Sequence, residues 1–545
     1  MAAARHAGVR PSFAAAAAAA ALLLRLPVAA GAPARVGDAF GTNIHWTSAQ
    51  PGEARLLSAA YRVARMDLNW GSIETAGACG TYDFQAYDTL LAEMEAVGVR
   101  PYWILDYNNQ NCYPSPASSC ETPACVAGYG RFAAATVAHF KGHGIIFESV
   151  NEANGMGDDN ATVVTELCKA AGPHFLAAGE TFVGPTTAGI DIPYLNATFA
   201  LGILGALSGV SVHPYRSGPP ESAAGDLQQL AAIIAAYAAP DKAYPVLSGE
   251  WGYTSAALPC NYGNRVPAAL QGKYVPRMWF AALLGGATVG ISYDWKDDGG
   301  DPTNCEDNFG SVVQGPGGTF TPKPSYLAAL AVQTGVGNAA AFSGRVAAAV
   351  SGVPPTWGLT PASAFVLAFA GGGLPQPAAA FAVYTNVTTC VLAAVPGARA
   401  ACAGPGGGAN ETACLAAGCC FDGALPANAT GVPACYVAAQ PPQAPNPVCP
   451  DAERVDCGFN GITHDECVGA RGCCWDGSAH PSGPQCFFGE DGRVGGPVTV
   501  TFPIAPAADD ACFDMRDVYG YDRGRACAAG GAISVTATDG PMYLL

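Results

Sequence analysis

Two glutamates follow apolar runs and have the side-chain type that acid–base chemistry needs. Glu152 lies in "FESVNEANG" and Glu250 lies in "YPVLSGEWGY". A protonated carboxyl group donates a proton in a transition state, whereas an ionised one accepts a proton or attacks an electrophile. Glu148 lies earlier on the same run as Glu152, and period-two alternation predicts that it is a buried, paired structural carboxylate. Glu152 and Glu250 could therefore share one reaction if the fold brings them together.

Eight short apolar runs alternate with amphipathic segments between residues 38 and 295, a pattern that predicts β-strands linked by helices. Helical periodicity is clear in the segments 84–97 and 227–237. Eight βα units in about 250 residues match the size of a (β/α)8 barrel. A doubly wound sheet is the alternative, but no Gly-rich phosphate loop follows any of the runs. We therefore predict an α/β chain with a (β/α)8 TIM barrel over residues 33–335.

The ends of the predicted strands carry the side chains that could do chemistry. Active groups in such a barrel lie at the C-terminal ends of the strands. Glu152 ends the fourth predicted strand and Glu250 the seventh, so a closed ring of eight places them across its mouth. Hydrolysis of a glycosidic bond requires two such carboxyl groups, one that protonates the leaving oxygen and one that attacks or activates water. Nearly every other predicted strand also ends in polar or aromatic residues, which are His45, Trp46, Asp67, Trp70, Asp106, Asn108, His213, Tyr215, Asp294 and Trp295.

The motifs "VNEAN", "VHPY", "LSGEWG" and "YDW", in this order, resemble those of clan A glycoside hydrolases, families 5 and 39 above all. The resemblance covers about residues 38–335, with Ala153 where many relatives have proline. It implies that Glu152 is the acid/base and Glu250 the nucleophile of a retaining, double-displacement reaction on β-linked poly- or oligosaccharides. It also implies carboxyl groups about 5 Å apart and no metal or organic cofactor. Because Glu152 must be protonated when substrate arrives, we expect its pKa to be raised.

The same resemblance implies a set of residues around the two glutamates. Asn151 is expected to bond the sugar 2-hydroxyl, Arg65 to lie near Glu250 and keep it ionised, and Tyr215 to touch it. Trp295 is expected to form a platform under the reacting sugar. His45 and Asp106 are expected to contact hydroxyl groups of the sugar. The full set of expected substrate-binding residues is Asn151, Arg65, His213, Tyr215, Trp295, His45 and Asp106.

The segments 336–389 and 490–545 share a Gly-, Pro- and Ala-rich texture with short β-like pieces. Neither segment has enough strands to close a core alone. We therefore predict one discontinuous C-terminal β-sandwich interrupted by inserted modules, with two independent fragments as the alternative.

The segment between these halves is rich in cysteine. A zinc site is one interpretation, but "RVDCGFNGITHDECVGARGCCWDGSAHPSGPQCFF" resembles a P-type trefoil module, which we place at 449–489. A degenerate copy is predicted at 390–437. The resemblance implies disulfides that join the first cysteine to the fifth, the second to the fourth and the third to the sixth. The cysteines of the better copy are Cys449, Cys457, Cys467, Cys473, Cys474 and Cys486. Those of the degenerate copy are Cys390, Cys402, Cys414, Cys419, Cys420 and Cys435.

Small modules of this kind need cross-links because their cores are too small to hold alone. The trefoils could bind glycans or mucin-like glycoproteins, or they could serve as protease-resistant spacers. The odd number of cysteines outside them leaves at least one free thiol, for which Cys168 is the predicted residue.

Charge and targeting signals restrict the partners. The formal net charge is -17 and only 13% of residues are charged, which argues against nucleic-acid and anionic-membrane partners. A basic start, an apolar stretch and small residues predict a signal peptide over 1–32, with an Ala-rich leader or a short anchor as alternatives. No later segment is apolar enough to span a membrane. Five N-x-S/T sequons agree with a secreted or extracellular protein, and they lie at Asn160, Asn196, Asn386, Asn410 and Asn428.

The secretory route also leads to the cell wall, the vacuole and the lysosome, so these are alternative locations.

A secreted, non-catalytic glycan-binding protein with a degenerate barrel is the alternative function.

Overall fold

The computed structural model describes most of the chain from residue 35 onward. The described residues are 35–114, 120–155, 160–257, 260, 262–266, 268–351, 363–371, 379–385, 498–504, 511–537 and 539–545, with four two-residue strands between 420 and 487. The predicted signal peptide and nearly all of both predicted trefoil modules, including their disulfide pairs, lie outside these residues.

Parallel strands form the barrel, and their order in the sheet is β5-β4-β3-β2-β1-β9-β8-β7-β6. Val183 at the end of β5 makes a further parallel bridge to Gly209, just before β7, and this bridge closes the ring. β5 and β6 are two pieces of the predicted fifth strand, so the ring has the eight strands expected from the sequence. Their bounds are β1 Phe40–Asn43, β2 Val63–Asn69, β3 Arg100–Asp106, β4 Ile146–Glu148, β5 Thr181–Val183, β6 Thr187–Ala188, β7 Val210–His213, β8 Val246–Trp251 and β9 Ala287–Ser292.

Helices cross between the strands and cover the outside of the barrel. Their bounds are α1 Glu53–Ala60, α2 Trp70–Ile73, α3 Gln85–Val97, α4 Pro123–Phe140, α5 Ala161–Ala178, α6 Ile192–Ala200, α7 Ser222–Tyr237, α8 Ala268–Leu284 and α9 Pro324–Thr334. Asn160 caps α5 by accepting from Thr162 N and Val163 N, and Gly179 ends it in the left-handed region. Within the described residues no helix has both the length and the apolar character needed to cross a bilayer.

The barrel strands are apolar because both faces of a parallel sheet are covered. All of β1 is buried, and so is β3 from Pro101 to Asp106. Trp103 and Phe147 lie on adjacent strands with no exposed surface. Gly290 on β9 lets the Trp279 ring of α8 approach closely, because a Cβ there would lie 2.5 Å from that ring. The resulting core is what holds the strand ends in fixed positions.

The strands after residue 340 form two antiparallel sheets, and each sheet uses strands from both sides of the cysteine-rich insert. One has the order β12-β14-β15-β24-β21-β22 and the other β13-β20-β23. This pairing confirms the predicted discontinuous β-sandwich. Its strands are β12 Ala341–Arg345, β13 Ala349–Ser351, β14 Ala364–Ala370, β15 Ala379–Thr385, β20 Val498–Pro503, β21 Cys512–Arg516, β22 Asp522–Cys527, β23 Ala532–Ala537 and β24 Met542–Leu544.

The remaining strands are short hairpins. They are β10 Val312–Gln314 with β11 Phe320–Pro322, β16 Cys420–Phe421 with β17 Cys435–Tyr436, and β18 Cys474–Trp475 with β19 Cys486–Phe487.

Disulfides join loops at the C-terminal side of the barrel and strands of the sandwich. In the described part of the chain they are Cys79–Cys112, Cys120–Cys125, Cys260–Cys305 and Cys512–Cys527. Cys168 on α5 is free and buried, which confirms the prediction of a free thiol there.

Candidate active site

The C-terminal ends of four barrel strands bring the predicted site residues together. Arg65 lies on β2, Glu152 follows β4, His213 ends β7 and Glu250 lies near the end of β8. One carboxylate oxygen of Glu152, one ring nitrogen of His213 and one carboxylate oxygen of Glu250 all lie within 4.8 Å of one another. The two glutamates therefore face each other, as the sequence predicts.

Arg65 is the hub of this arrangement, with only 1% of its surface exposed. Its Nε donates to Glu148 Oε2 at 2.8 Å, Nη1 to Glu250 Oε2 at 2.8 Å, and Nη2 to Asn151 Oδ1 at 2.8 Å. Burial disfavours the charge, but the carboxylates of Glu148 and Glu250 outweigh it and raise the pKa of Arg65. The same cation lowers the pKa of Glu148 despite the complete burial of that carboxyl. Glu148 is thus the buried, paired carboxylate predicted from its position.

Replacement of Arg65 by methionine is expected to lower both stability and activity. Removal of one partner of a buried ion pair costs about 3–5 kcal/mol of unfolding free energy, because the other partner is left unpaired. Here Glu148, Asn151 and Glu250 all lose a donor, so kcat should fall as well. Urea unfolding and steady-state kinetics on the folded variant measure the two effects.

Arg277→Met is the matched control, because Arg277 is equally buried and forms two 2.8 Å hydrogen bonds to Glu221 away from the site. It should lose comparable stability with kcat unchanged. Arg65→Lys keeps the positive charge and is the variant to measure if Arg65→Met does not fold. Unchanged kcat in both Arg65 variants would contradict the positioning role.

Donors surround the Glu250 carboxylate. Tyr215 Oη donates to Oε1 at 2.7 Å, whereas Arg65 Nη1 and Asn43 Nδ2 donate to Oε2 at 2.8 and 3.2 Å. Both carboxylate oxygens are therefore held in fixed positions by hydrogen bonds before any ligand arrives.

Glu152 is held in a different way. Its backbone has a φ of 42°, in the left-handed region that non-glycine residues rarely adopt, and such residues cluster at functional sites. Gly155 N donates to its carbonyl at 2.8 Å. Two residues later, the Asn154 side chain forms hydrogen bonds to the backbone N–H and C=O of Ala188. The turn therefore projects a partly exposed carboxyl group from the end of β4, opposite Glu250.

His213 sets the protonation of Glu152. Its Nε2 lies 3.2 Å from Arg65 Nη2, and because a guanidinium only donates, Nε2 must accept. The imidazole proton then lies on Nδ1, which donates to Glu152 Oε1 at 2.8 Å. Burial alone would raise the pKa of Glu152, but His213 and the charge of Arg65 outweigh it and lower that pKa below its ordinary value. The expectation of a raised pKa is wrong in the absence of substrate.

The two glutamates line an open cavity of about 640 Å³, a size that suits a small oligosaccharide or glycoside. Part of its wall comes from segments that the Cys260–Cys305 disulfide joins, where Tyr262 Oη donates to Glu306 Oε1 at 2.8 Å. Its other lining residues include Tyr215, Arg216, Tyr293 and Phe309.

Trp295 does not have the predicted position. Only 1% of its surface is exposed, and its indole N–H donates to Glu53 Oε1 at 2.9 Å in the core. A ring buried on both faces cannot form a sugar platform, so that prediction is wrong. Tyr293, two residues earlier, lines the cavity instead.

Three of the expected substrate-binding residues are buried beneath the cavity, and they are Asp106, Arg65 and His213. Asp106 has no exposed surface, and its Oδ1 accepts from the backbone N–H of Asn151 at 2.9 Å. Burial and the nearby charge of Asp67 raise its pKa well above the usual range. Arg65 lies beside Glu250, as expected from the sequence. Asp106 and His213 have no exposed surface and hold residues that face the cavity, so the expectation of direct substrate contact by these two is wrong.

His45 lies at the rim with 41% of its side chain exposed, and its Nδ1 lies 3.0 Å from Asp298 Oδ1. Partial burial would lower its pKa, but the hydrogen bond and charge of Asp298 raise it.

Sequence reasoning missed several residues of the site. Asn43 was visible as a polar residue at the end of the first strand, and Tyr293 as an aromatic residue at the end of the last. Tyr262, Glu306 and Arg216 come from long loops, and no periodicity indicates where such side chains lie.

Two groups of side chains in the described residues have the composition of a metal site. They are Glu152 with His213 and Glu250, and His45 with Asp294 and Asp298. The first lies beside the Arg65 guanidinium, whose positive charge opposes a cation there.

The cysteine-rich insert matches the Trefoil (P-type) domain family twice, at residues 393–438 and 447–489. Trefoil factor 3 of Mus musculus is 41% identical over 63 residues, which are 12% of this chain and 72% of that protein. The chain belongs to the trefoil family. Trefoil factor 3 of Canis lupus familiaris is 53% identical over 38 residues, which are 7% of this chain and 45% of that protein. The trefoil modules thus occupy the insert within the sandwich.

Solved structures of three glycoside hydrolases are similar to this chain in fold. A family 39 glycoside hydrolase from Bacteroides cellulosilyticus WH2 has a TM-score of 0.59 at 16% identity, over 94% of this chain and 81% of its own. A GH39 enzyme from Xanthomonas axonopodis pv. citri has a TM-score of 0.51 at 15% identity, over 94% and 95%. A GH30 endoxylanase from Clostridium papyrosolvens C71 has a TM-score of 0.50 at 9% identity, over 95% and 97%. At these identities the similarity establishes the shared fold and nothing finer.

Proposed function

We propose that this protein is a secreted, retaining glycoside hydrolase that cleaves β-linked poly- or oligosaccharides by double displacement. The observation that carries the proposal is the facing pair Glu152 and Glu250, with carboxylate oxygens within 4.8 Å of each other in one cavity. Carboxyl groups of retaining enzymes are about 5–5.5 Å apart, whereas inverting enzymes need about 6.5–9.5 Å to hold a water molecule between them. The short separation therefore favours retention.

In the first step Glu152 protonates the glycosidic oxygen while Glu250 attacks the anomeric carbon. The bond to the leaving group breaks, and a covalent glycosyl-enzyme forms on Glu250. In the second step Glu152, now ionised, removes a proton from water, which attacks the same carbon and releases Glu250. No cofactor is required for either step.

Neighbouring side chains support this reaction. Tyr215, Asn43 and Arg65 orient Glu250 for attack through the hydrogen bonds described above. The Oδ1 atom of Asn151 accepts from Arg65, which leaves its NH₂ group as the donor for the sugar 2-hydroxyl. Tyr293 offers an apolar ring to the face of a pyranose.

Glu152 must take up its proton when substrate binds, because the hydrogen bond from His213 favours the ionised form of the free carboxyl group. A bound sugar excludes water and gives Glu152 a glycosidic oxygen in place of His213, so its pKa rises in the complex. In the free enzyme, activity as an acid is lost as the pH rises through the lowered pKa of Glu152. We therefore expect the alkaline limb of kcat/KM to lie in the acidic range.

His213→Phe is expected to move that alkaline limb to higher pH, because loss of the Nδ1 donor raises the pKa of Glu152. The pH dependence of kcat/KM measures the shift. His143→Phe is the matched control, since His143 Nδ1 also contacts a glutamate, Glu95 Oε1 at 2.7 Å, but on the surface. It should leave the profile unchanged, and an unmoved limb in His213→Phe would contradict the assignment of Glu152 as the acid.

A panel of chromogenic aryl glycosides tests the proposed activity. The wild-type protein should release the aryl group from at least one β-glycoside, and proton NMR should show the β-anomer as the first product. A first product of α configuration would exclude double displacement. Binding of glycans with no turnover on any sugar would support the non-catalytic alternative.

We also propose that the protein is extracellular and that the trefoil modules hold it on glycans or glycoproteins. The disulfides and the trefoil matches support this location. Retention of intact Glu250→Ala protein on immobilised mucin or on an insoluble β-glycan is expected. Elution in the void volume of every such matrix would contradict the proposed binding role of the trefoil modules.

A further inference from the structure

A cluster of one histidine and two aspartates lies at the rim of the barrel, outside the reacting pair. His45 follows β1, and Asp294 and Asp298 follow β9, the strand that pairs with β1. His45 Nδ1 lies 3.0 Å from Asp298 Oδ1 and 3.8 Å from Asp294 Oδ2. Adjacent donors of a metal ion bound at about 2.0–2.2 Å lie at similar separations of roughly 3–4 Å.

One side-chain oxygen of the buried member of this cluster lacks a hydrogen-bond partner. Asp294 is 3% exposed, and its Oδ1 has no hydrogen-bond partner. A buried carboxylate oxygen without a donor or a cation is unfavourable, because it has lost its hydration and gained nothing in its place.

The nearby lysines form their ion pairs with other carboxylates. Lys323 pairs with Asp297 at 2.7 Å, and Lys296 pairs with Glu53 at 3.1 Å. His45 can carry at most one positive charge opposite two carboxylates. With both carboxyl groups ionised, the cluster therefore carries more negative than positive charge.

We propose that His45, Asp294 and Asp298 bind a divalent transition-metal ion, with Mn²⁺ or Zn²⁺ as the fitting ions. One imidazole nitrogen and two carboxylate oxygens suit these ions, whereas Ca²⁺ prefers an all-oxygen shell. The ion neutralises the buried carboxylate and links the ends of β1 and β9. This site is additional to the proposed hydrolysis, which uses no metal.

The bound ion would also brace the cavity wall. The His45 ring lies 5.7 Å from the ring of Tyr293, which lines the cavity and directly precedes Asp294. An ion that holds His45 and Asp294 in place restricts the motion of the Tyr293 ring, which lies beside both residues. Because binding to the folded state stabilises it, the ion should raise the melting temperature.

Titration of EDTA-treated full-length protein with MnCl₂ tests the site, with free Mn²⁺ followed by its EPR signal and ZnCl₂ as a competitor. The wild type should bind one ion per chain at the proposed site. His45→Ala and Asp294→Asn should each weaken that binding by at least about tenfold. Because the His45 side chain lies at the rim with 41% of it exposed, its variant is expected to fold even if Asp294→Asn does not.

His139→Ala is the matched control, because His139 Nε2 pairs with Asp88 Oδ1 at 2.7 Å and has the same 41% exposure. It should bind Mn²⁺ as the wild type does. Either of two results would overturn the proposal: no saturable binding of Mn²⁺ or Zn²⁺ up to millimolar concentrations, or unchanged binding in both cluster variants. Loss of binding in Glu152→Gln together with retention in His45→Ala would instead locate the ion at the reacting pair.

Discussion

Replacement of Glu250 by alanine is expected to reduce kcat on aryl β-glycosides by at least about 10⁴-fold, because no other group can form the covalent intermediate. The expectation rests on the position of the carboxylate, which Tyr215, Arg65 and Asn43 orient toward the cavity. Added azide should restore turnover by filling the vacated space and attacking the anomeric carbon directly. A single displacement inverts configuration, so the product should be the α-glycosyl azide.

Glu306→Ala is the control, since Glu306 lines the same cavity but contacts Tyr262 in its wall. It should change KM more than kcat. A β-glycosyl azide from Glu250→Ala, or a loss of kcat no larger than that of Glu306→Ala, would contradict the nucleophile assignment.

Replacement of Glu152 by alanine is expected to act through the leaving group. For substrates with a poor leaving group, kcat/KM should fall by about 10²–10⁴-fold, because the departing oxygen is no longer protonated. For dinitrophenyl glycosides, whose leaving group needs no proton, kcat/KM should stay close to that of the wild type. The second step then lacks its base, so stopped-flow measurements should show a burst followed by slow turnover.

Azide distinguishes this variant from Glu250→Ala. It attacks the glycosyl-enzyme on Glu250 in place of activated water, so the product should be the β-glycosyl azide. Equal losses for good and poor leaving groups would contradict the acid/base role of Glu152.

The barrel and its facing glutamates could be predicted because each depends on a repeated local pattern. Apolar runs of strand length recur with helical segments between them, and a closed ring of eight fixes which strand ends face each other. Glu152 and Glu250 follow the fourth and seventh runs, so their meeting is a consequence of topology. The discontinuous sandwich could be predicted for a similar reason, since neither half could close a core.

The roles of individual side chains could not be predicted with equal success. β9 ends at Ser292, and beyond it the alternation of the strand no longer tells which side chain faces the cavity. Trp295 N donates to Asn43 O at 3.0 Å, which draws that residue into the core and leaves Tyr293 at the cavity. A tryptophan near a strand end is therefore a weaker indication of a sugar platform than its type suggests.

The prediction of a raised pKa for Glu152 was wrong for a different reason. Burial raises it, while the donor on His213 and the charge of Arg65 lower it. The sign of the sum depends on the 2.8 Å contact between His213 and Glu152, a distance between residues 61 positions apart. The sequence indicates that both residues lie at the site but not how closely they approach.

Mass-spectrometric mapping of a trapped intermediate tests the central claim most directly. Incubation with a panel of 2-deoxy-2-fluoro β-glycosides that carry a good leaving group should stop turnover and add one fluorosugar per chain. The peptide that carries the label should contain Glu250 as the modified residue. A label on Glu152 or on any other residue would contradict the account of how this pair of carboxylates works.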